Sequence, residues 1–263
     1  MAFDVEKYAR TAAPVKWDDI DLRTFAERPL SGDSLRVLRY MCDIESHTVC
    51  YLRDMLVTPS HADPEVSTFL TMWNYEEYWH GEVLADVLAA HGIPTGPDHV
   101  RGIRTRLGWR DKVTPIKQAV LANIIGEDFI ATHMSWGAIN EWLTHAGYTA
   151  LMRKEQHATL DEVLSRIATQ ETRHIAFYAT QARDRLARSR KAQRITRFAL
   201  NMAWQPVGAG VMPEAEVRHL VDHLLGGDAS YEMARRIDAK IDTLPGLEGM
   251  RLVQRRVESI LAR

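Results

Sequence analysis

Four stretches of the chain combine the periodicity of an amphipathic helix with a glutamate in the middle of the apolar stripe. Apolar residues recur in them at alternating steps of three and four, which is the spacing of one helix face. The interrupting residues are Glu45, Glu77, Glu127 and Glu171. A lone carboxylate in an apolar core is costly unless it is protonated, paired or bound to metal. Four carboxylates that converge on one level of a helical core therefore predict bound cations.

The remainder of the chain also predicts helices and almost no strand, so we expect an all-α protein. The 263 residues include only 15 Gly and 10 Pro, which is few for a loop-rich all-β fold. We expect Asp33 to cap the first long helix, Gly92 to end the second, and Thr114 with Pro115 to open the third. The predicted helices cover 34–57, 64–91, 115–145, 149–190, 191–204, 213–226, 229–242 and 248–262.

The connection lengths predict how the four long helices are arranged. The breaks after residues 57 and 145 are short, so each flanking pair should form an antiparallel hairpin. The stretch 92–114 is long enough to run the length of a bundle, and one long connection between two short ones is typical of a four-helix bundle with a crossover. We expect an irregular segment over 1–32, the bundle over 33–190, and accessory helices over 191–263 that pack on it.

Two of the four glutamates are followed three residues later by a histidine. The midpoint of the first two glutamates is residue 61, and that of the last two is residue 149, each in or beside a predicted turn. Residues equidistant from the turn of a helical hairpin lie side by side, so each lone glutamate should face a Glu-x-x-His pair. Four Glu and two His from four helices are the ligands of di-iron and di-manganese carboxylate proteins with a ferritin-like bundle, and oxygen and imidazole donors suit these metals. The predicted metal ligands are Glu45, Glu77, His80, Glu127, Glu171 and His174.

A third Glu-x-x-His pair, Glu216 and His219, lies on a predicted short helix. The apolar residues of that helix lie on the opposite face, so we interpret this pair as a solvated coincidence. The alternative for the other two pairs is a structural Glu–His contact in the core. That alternative does not explain Glu45 and Glu127, and we therefore favour the metal site.

Two segments of the chain resemble soluble acyl carrier protein desaturases of the actinobacterial type. W-N-Y-E-E-Y-W-H-G over 73–81 resembles their W-x-x-E-E-x-x-H-G segment, and I-A-T-Q-E-T-R-H over 167–174 resembles their second ligand box. The similarity covers about residues 34–185. It implies a homodimer with two iron ions per chain, or a mixed Mn/Fe pair. It also implies that O₂ and two electrons from an external donor such as ferredoxin are used to oxidise an unactivated alkyl chain.

Three positions beside the predicted ligands bear on that resemblance. It implies a threonine three residues after the glutamate of the third helix, where this chain has Ile130. It also implies an acidic residue before the last ligand glutamate that orients a ligand histidine, where this chain has Gln170, whereas Glu76 keeps the equivalent position in the first box. We interpret these changes as an altered reaction at an intact set of ligands, because an amide still accepts a histidine N–H.

We therefore expect an O₂-dependent di-iron oxidase or oxygenase that desaturates or hydroxylates an acyl or similar aliphatic substrate, which a carrier protein would present. One alternative is oxidation of a small amine or another metabolite, although Ile167 stands where arylamine N-oxygenases have a further histidine ligand. The other alternative is a non-catalytic metal-storage or scaffold bundle. A pocket beside the metals should distinguish these functions.

Charge, hydropathy and cysteine content limit the kinds of partner and the cellular location that we expect. Lys and Arg number 33 against 35 Asp and Glu, so no overall field attracts nucleic acid. No apolar run predicts a membrane span or a signal peptide, and Cys42 and Cys50 lie too far apart on one helix to bridge. We expect a cytoplasmic protein without nucleic-acid or membrane partners. The basic segments 101–112 and 181–197 are either docks for an acidic carrier protein or solvated helix surfaces.

Overall fold

The structure, a computed structural model, describes residues 3–262 except Leu107, Trp109 and Gly227. This part of the chain is helical and forms no β-sheet, as the sequence predicts. No helix within the described ranges combines the length and the apolar character that crossing a membrane requires. The helices are α1 (Val5–Thr11), α2 (Thr24–Glu27), α3 (Gly32–Glu45), α4 (Thr48–Met55), α5 (Pro64–Ala90), α6 (Pro97–Arg106), α7 (Arg110–Ile125), α8 (Asp128–Glu155), α9 (Ala158–Arg188), α10 (Arg190–Ala203), α11 (Glu214–Leu225), α12 (Asp228–Ile241) and α13 (Leu252–Leu261), with a 3₁₀ turn over Pro59–Ala62.

Helices α3 and α5 form an antiparallel pair. The Cys42 Sγ donates to the Gly81 carbonyl at 3.5 Å, and the Asn74 amide, further back along α5, donates to Thr48 Oγ1 at 3.0 Å. The 3₁₀ turn and the side chain of Asp63, which caps α5, reverse the chain between them. The predicted first helix is interrupted, because α3 ends at Glu45 and α4 begins at Thr48, after two intervening residues.

Helices α8 and α9 form the second antiparallel pair, but its turn lies at residues 156–157 and not at 145–149 as predicted. Gln156 ends α8 with a φ of 50°, and the His157 side chain caps α9. The predicted break contains Gly147, which is helical. Its missing side chain lets the Met41 methyl of α3 approach closely, since a Cβ there would lie 3.3 Å from Met41 Cε. This glycine therefore marks a helix–helix contact rather than a turn.

The two pairs pack together through α5 and α9. The rings of Phe69 and Phe177 stack with 3.8 Å between centroids, and Gln181 donates to Glu65 closer to the start of α5. Helix α9 is therefore antiparallel to α5, and α8 runs in the same direction as α5. The connection over 91–127, which contains α6 and α7, must accordingly return along the length of the helices.

The flanking segments cover several faces of these four helices. Helix α10 packs on α8 and α9, α11 packs on α3 and α8, and α12 and α13 pack on each other. The segment over 1–32, expected to be irregular, contains α1, which packs on α5, and the short α2. Helix α7 contributes less to the core than predicted, because Ile116, Val120 and Ile124 expose 63%, 56% and 76% of their surface.

Candidate metal centre

Five of the six predicted ligands lie together in the core. Glu45 is the last residue of α3, whereas α5 and α9 each place their Glu-x-x-His pair near the middle of a long helix. The spacing of three residues puts the carboxylate and the imidazole of each pair on the same helix face. The five clustered residues, each at most 6% exposed, are Glu45, Glu77, His80, Glu171 and His174.

Their side chains form two overlapping groups of potential donors. Glu77 and Glu171 belong to both groups. Glu45 and His80 complete one of them. In each group every residue offers one ligand atom, and these four atoms all lie within 4.8 Å of one another. His174 completes the second group together with a glutamate of α8. Each group thus has one histidine, one carboxylate of its own and two shared carboxylates, which is an arrangement that can hold two metal ions side by side.

The α8 glutamate is Glu141, so the prediction of Glu127 as a ligand was wrong. Glu127 is an exposed residue at the start of α8, and 14 residues of helix separate it from Glu141, roughly 21 Å at 1.5 Å per residue. The turn of the α8–α9 hairpin lies seven residues later than expected, at residue 156. The residue equidistant from that turn with Glu171 is Glu141.

The same shift corrects the interpretation of Ile130. Ile130 is buried among apolar residues near the start of α8 and is not one turn from a ligand. Three residues after Glu141 the chain has Thr144, at the position where the resemblance implies a threonine. The departure inferred from Ile130 depended on Glu127 as the reference residue and does not apply when Glu141 takes that place.

Gln170 and the N-terminal segment orient His80. His80 Nε2 donates to Gln170 Oε1 at 2.8 Å, and the Gln170 amide donates to the Ala13 carbonyl at 3.0 Å. The other ring nitrogen, Nδ1, lies 3.1 Å from Glu77 and 3.4 Å from Glu171. A histidine held this way at Nε2 directs Nδ1 at the carboxylates, as second-sphere acceptors commonly do for metal-ligating histidines.

Glu76 orients His174 as Gln170 orients His80. His174 Nε2 donates to Glu76 Oε2 at 2.9 Å, and its Nδ1 faces Glu171 at 2.9 Å. Glu76 also accepts from the hydroxyl of Tyr8 at 2.8 Å and from the guanidinium of Arg173. Burial opposes its ionisation, but His174, Tyr8 and Arg173 together lower the pKa of Glu76 below its ordinary value. His174 therefore receives a charged acceptor where His80 receives a neutral amide.

Two aromatic side chains hold the unshared glutamates. The Tyr148 hydroxyl donates to Glu45 Oε1 at 2.5 Å, and the Trp73 indole donates to Glu141 Oε1 at 3.0 Å. Each glutamate is thus oriented by a neutral donor on a neighbouring helix and keeps its other oxygen for a further partner.

Protons are distributed unevenly over the four glutamates. Burial, reinforced by the charges of Glu77 and Glu171, raises the pKa of both Glu45 and Glu141 well above the ordinary value. Burial also opposes ionisation of Glu77 and Glu171, but the histidines outweigh it and lower the pKa of both groups. The electrostatics of the cluster therefore favour the charged form of the shared carboxylates and the protonated form of the unshared carboxyls.

Both histidines are protonated in this arrangement. Burial lowers the pKa of His80, but the carboxylates of Glu77 and Glu171 outweigh it and raise that pKa to about 10. The pKa of His174 is likewise raised despite burial, with Glu171 and Glu76 stabilising the charged ring. Two imidazolium rings thus balance the two shared carboxylates.

An apolar cavity of about 70 Å³ adjoins the cluster. Glu45 and Thr144 are among its lining residues, and most of the others are aliphatic side chains. The lining comes from α3, α8, α11 and α13 and from Pro206 and Val207 between α10 and α11. The cavity can therefore bring an apolar group to the Glu45 side of the centre.

The third Glu-x-x-His pair does not join the cluster. Glu216 forms a two-pronged ion pair with Arg36, with distances of 2.7 and 2.9 Å. His219 lies beside Asp33, at 3.4 Å from its carbonyl oxygen. Val217 and Val221 of the opposite face are buried as expected, but Glu216 and His219 are half-buried beside α3 and are not solvated as predicted.

Several residues that hold the ligands were not predicted. Glu141 continues the stripe of Met134 and Ala138 by one further step of three, so the periodicity makes it a candidate equal to Glu127. Tyr148 lies one heptad beyond it on the same face. Tyr8 lies on α1, a short helix whose start is signalled in the sequence by its N-cap, Asp4. No protein-family model and no curated protein sequence matches this chain.

Proposed function

We propose that α3, α5, α8 and α9 form a ferritin-like bundle around a dinuclear iron centre, and that the protein is an O₂-dependent oxidase or oxygenase of aliphatic groups. The observation that carries the proposal is the pair of donor groups that share Glu77 and Glu171. Two carboxylates common to two sets of donors are expected of a carboxylate-bridged metal pair. A single-metal site would not need the second set.

The donors fit two divalent ions in charge and chemistry. Four carboxylates balance the four positive charges of two such ions when both histidines are neutral. Glu171 Oε1 is buried, and within the described part of the chain its contact with the His80 ring nitrogen, at 3.4 Å, does not have hydrogen-bond geometry, so a metal ion would satisfy this oxygen better. Oxygen and imidazole donors without thiolate favour iron or manganese over zinc. Without metal ions, the negative charge of the four carboxylates would be balanced only by protons on the carboxyls and the histidines.

Iron at this site would supply the binding and two-electron reduction of O₂. Hydroxylation of R–H consumes one O₂, two external electrons and two protons and gives R–OH and one water. Desaturation consumes the same reagents and gives an alkene and two waters. The cavity beside Glu45 supports an aliphatic substrate for either reaction, because most of its lining residues are aliphatic.

The chain's own residues would orient the ligands and supply a polar group. Gln170 and Glu76 hold the two histidine rings, and Tyr148 holds the carboxyl of Glu45. Thr144 lines the cavity one helical turn from Glu141, so its hydroxyl is placed to exchange a proton between the centre and a bound group. The aliphatic walls would exclude water from the reacting carbon.

The electrons require a partner, for which the start of α10 offers a basic surface. Arg188, Arg190, Lys191 and Arg194 are exposed there, although Lys191 also pairs with Asp128. A negatively charged electron carrier such as a ferredoxin would be attracted to this surface, as would an acidic acyl carrier protein. We propose both as partners of this face.

Anaerobic loading with Fe(II), followed by O₂, a reductant and candidate aliphatic substrates, tests the proposed function. We expect a product that has gained one oxygen atom or lost two hydrogen atoms, with ¹⁸O₂ labelling only the hydroxylated product. Glu141→Ala should abolish product formation and Glu127→Ala should not. Iron uptake far beyond two ions per chain, with a mineral core and no product, would show a storage protein instead.

A further inference from the structure

The cavity beside Glu45 is small as well as apolar. Its volume is about 70 Å³, whereas an engineered apolar cavity of about 150 Å³ accommodates benzene. Space of this size takes a group of a few carbon atoms. The remainder of a longer chain would have to extend out of the cavity or displace its walls, and closely packed walls resist such movement.

Polar recognition inside the cavity is limited. The hydroxyl of Tyr40 donates to the Val207 carbonyl at 2.6 Å, and that of Tyr148 donates to Glu45 at 2.5 Å. Both phenols therefore use their donors within the protein and present ring surface to the cavity. Glu45 and Thr144 are the other polar lining residues, so size and shape would contribute more than hydrogen bonds to the selection of a ligand.

The wall that limits the cavity comes from the C-terminal helices. Leu220, Val221 and Leu224 of α11 and Val253 and Val257 of α13 line it opposite the residues of α3 and α8. Val221, Val253 and Val257 are each at most 4% exposed, so these side chains are packed in place. The C-terminal region thus forms part of the cavity and is more than a cover for the helices that bear the ligands.

We propose that the substrate presents a short or branched aliphatic group of a few carbon atoms to the centre, and that α11 and α13 set this size limit. The inference rests on the proposed function, since it assigns the cavity to the substrate of the metal centre. It also separates this chain from enzymes that enclose a long alkyl chain.

Binding without turnover tests the size limit. The full chain, loaded anaerobically with Fe(II), is titrated calorimetrically with primary alcohols from propanol to decanol and with 2-methylpropan-1-ol. Each methylene that finds room should tighten binding about fourfold. We expect the affinity to rise over the first few carbons and to stop rising beyond about four. Affinity that keeps rising to decanol would overturn the size limit.

Substitutions in the wall test its role. Leu224→Ala removes three carbon atoms from the lining. The affinity should then keep rising for about three further methylenes, so that hexanol binds on the order of tenfold more tightly or better than it binds the unaltered chain. Val257→Ile should weaken propanol and butanol binding by narrowing the space. Leu252→Ala, a matched truncation on α13 outside the lining, should leave the profile unchanged. An equal effect of Leu252→Ala and Leu224→Ala would overturn the role of the wall.

The two proposals fail in different ways. If a chain that holds two iron ions binds none of the alcohols, the inference about the cavity is wrong and the proposed function is unaffected. If the chain binds alcohols with the expected size limit but does not retain iron, the proposed function is wrong.

Discussion

Glu141 is enclosed in the core, and its carboxyl is oriented by the Trp73 indole. Its truncation leaves His174 and the two shared carboxylates as the remaining donors of one group. Three donors without the fourth bind a metal ion more weakly, and the new space admits solvent. The other group, with Glu45 and His80, keeps all of its side chains.

Glu141→Ala should therefore lower the bound metal from about two ions per chain to about one. Glu127→Ala is the matched control, because Glu127 has the same side chain on the same helix but is exposed at its start. It should retain both ions. Metal content is measured by mass spectrometry of the elements after removal of free iron, and equal losses in the two variants would contradict the assignment.

Protons compete with metal at this centre. In the metal-free chain, the raised pKa values of Glu45, Glu141, His80 and His174 favour the protonated form of each group. Binding of two divalent ions should release several protons per chain, because the ligands must be deprotonated. Calorimetry in buffers of different ionisation enthalpy measures this number, and release of one proton or none would contradict the protonation scheme.

The stability of the metal-free chain should depend on pH with a definite sign. His80 has a pKa raised to about 10, so its contribution is fully present below its unfolded value of about 6.5 and is lost as the pH rises towards 10. The melting temperature of the metal-free chain should therefore fall between pH 6.5 and 10. The metal-loaded chain, whose histidines are already neutral, should show a smaller fall, and parallel curves would argue against this linkage.

At the level of the elements, the junction between α7 and α8 determines which glutamate reaches the core. Gly126 has a φ of 75°, which ends α7 and lets α8 begin at Asp128 in a new direction. Helix α8 then continues to residue 155, so its middle lies close to Glu141. A continuous helix over 115–145 would have placed Glu127 near its middle instead.

Gly126→Ala should lower the free energy of unfolding by about 1–2 kcal/mol, because a residue with a Cβ is strained at this positive φ. No atom lies within 4 Å of the position of that Cβ, so the effect comes from the backbone alone. Gly102→Ala, in α6, is the control; it also has open space but helical geometry, and should be neutral or stabilising by about 0.5–1 kcal/mol. Urea denaturation measures both, and destabilisation by Gly102→Ala alone would contradict this account of the junction.

On the scale of the whole molecule, α7 exposes an apolar face that no other described part of the chain covers. Ile116, Val120 and Ile124 lie on one stripe, and Leu121 beside them is 59% exposed. Val57, 55% exposed, lies near this face, since the Asn123 amide donates to its carbonyl at 2.9 Å. Contiguous apolar surface of this kind is typical of protein interfaces.

The homodimer that the resemblance implies is therefore expected to form through α7. Light scattering after size-exclusion chromatography should give twice the mass of the chain. Ile124→Glu should give a monomer, because it places a charge in the centre of the buried face. Phe198→Glu on α10 is the control and should leave the dimer intact, since Phe198 is equally exposed but lies on another helix. A monomeric unaltered protein, or disruption by both substitutions, would contradict this interface.

Much of the site could be predicted from the pattern of residues. Glu77 and His80, like Glu171 and His174, are joined by a local spacing of three, and a long helix always puts such residues on one face. Glu45 could be paired with Glu77 because Pro59 and Pro64 mark the turn between their helices. These inferences needed only helix geometry and one clear turn.

The sequence by itself determined the helical class, the polar groups inside apolar stripes and the two Glu-x-x-His pairs, because each depends on neighbours within one helix. Only the tertiary structure decided between Glu127 and Glu141, which lie on the same stripe. The deciding turn at Gln156 has no glycine or proline, whereas Gly147, which resembles a turn signal, is a contact with α3. The tertiary structure also decided that Tyr148 holds Glu45, that Tyr8 holds Glu76, and that α11 and α13 line the cavity. Contacts between distant segments depend on how whole helices pack, and local periodicity carries no information about that packing.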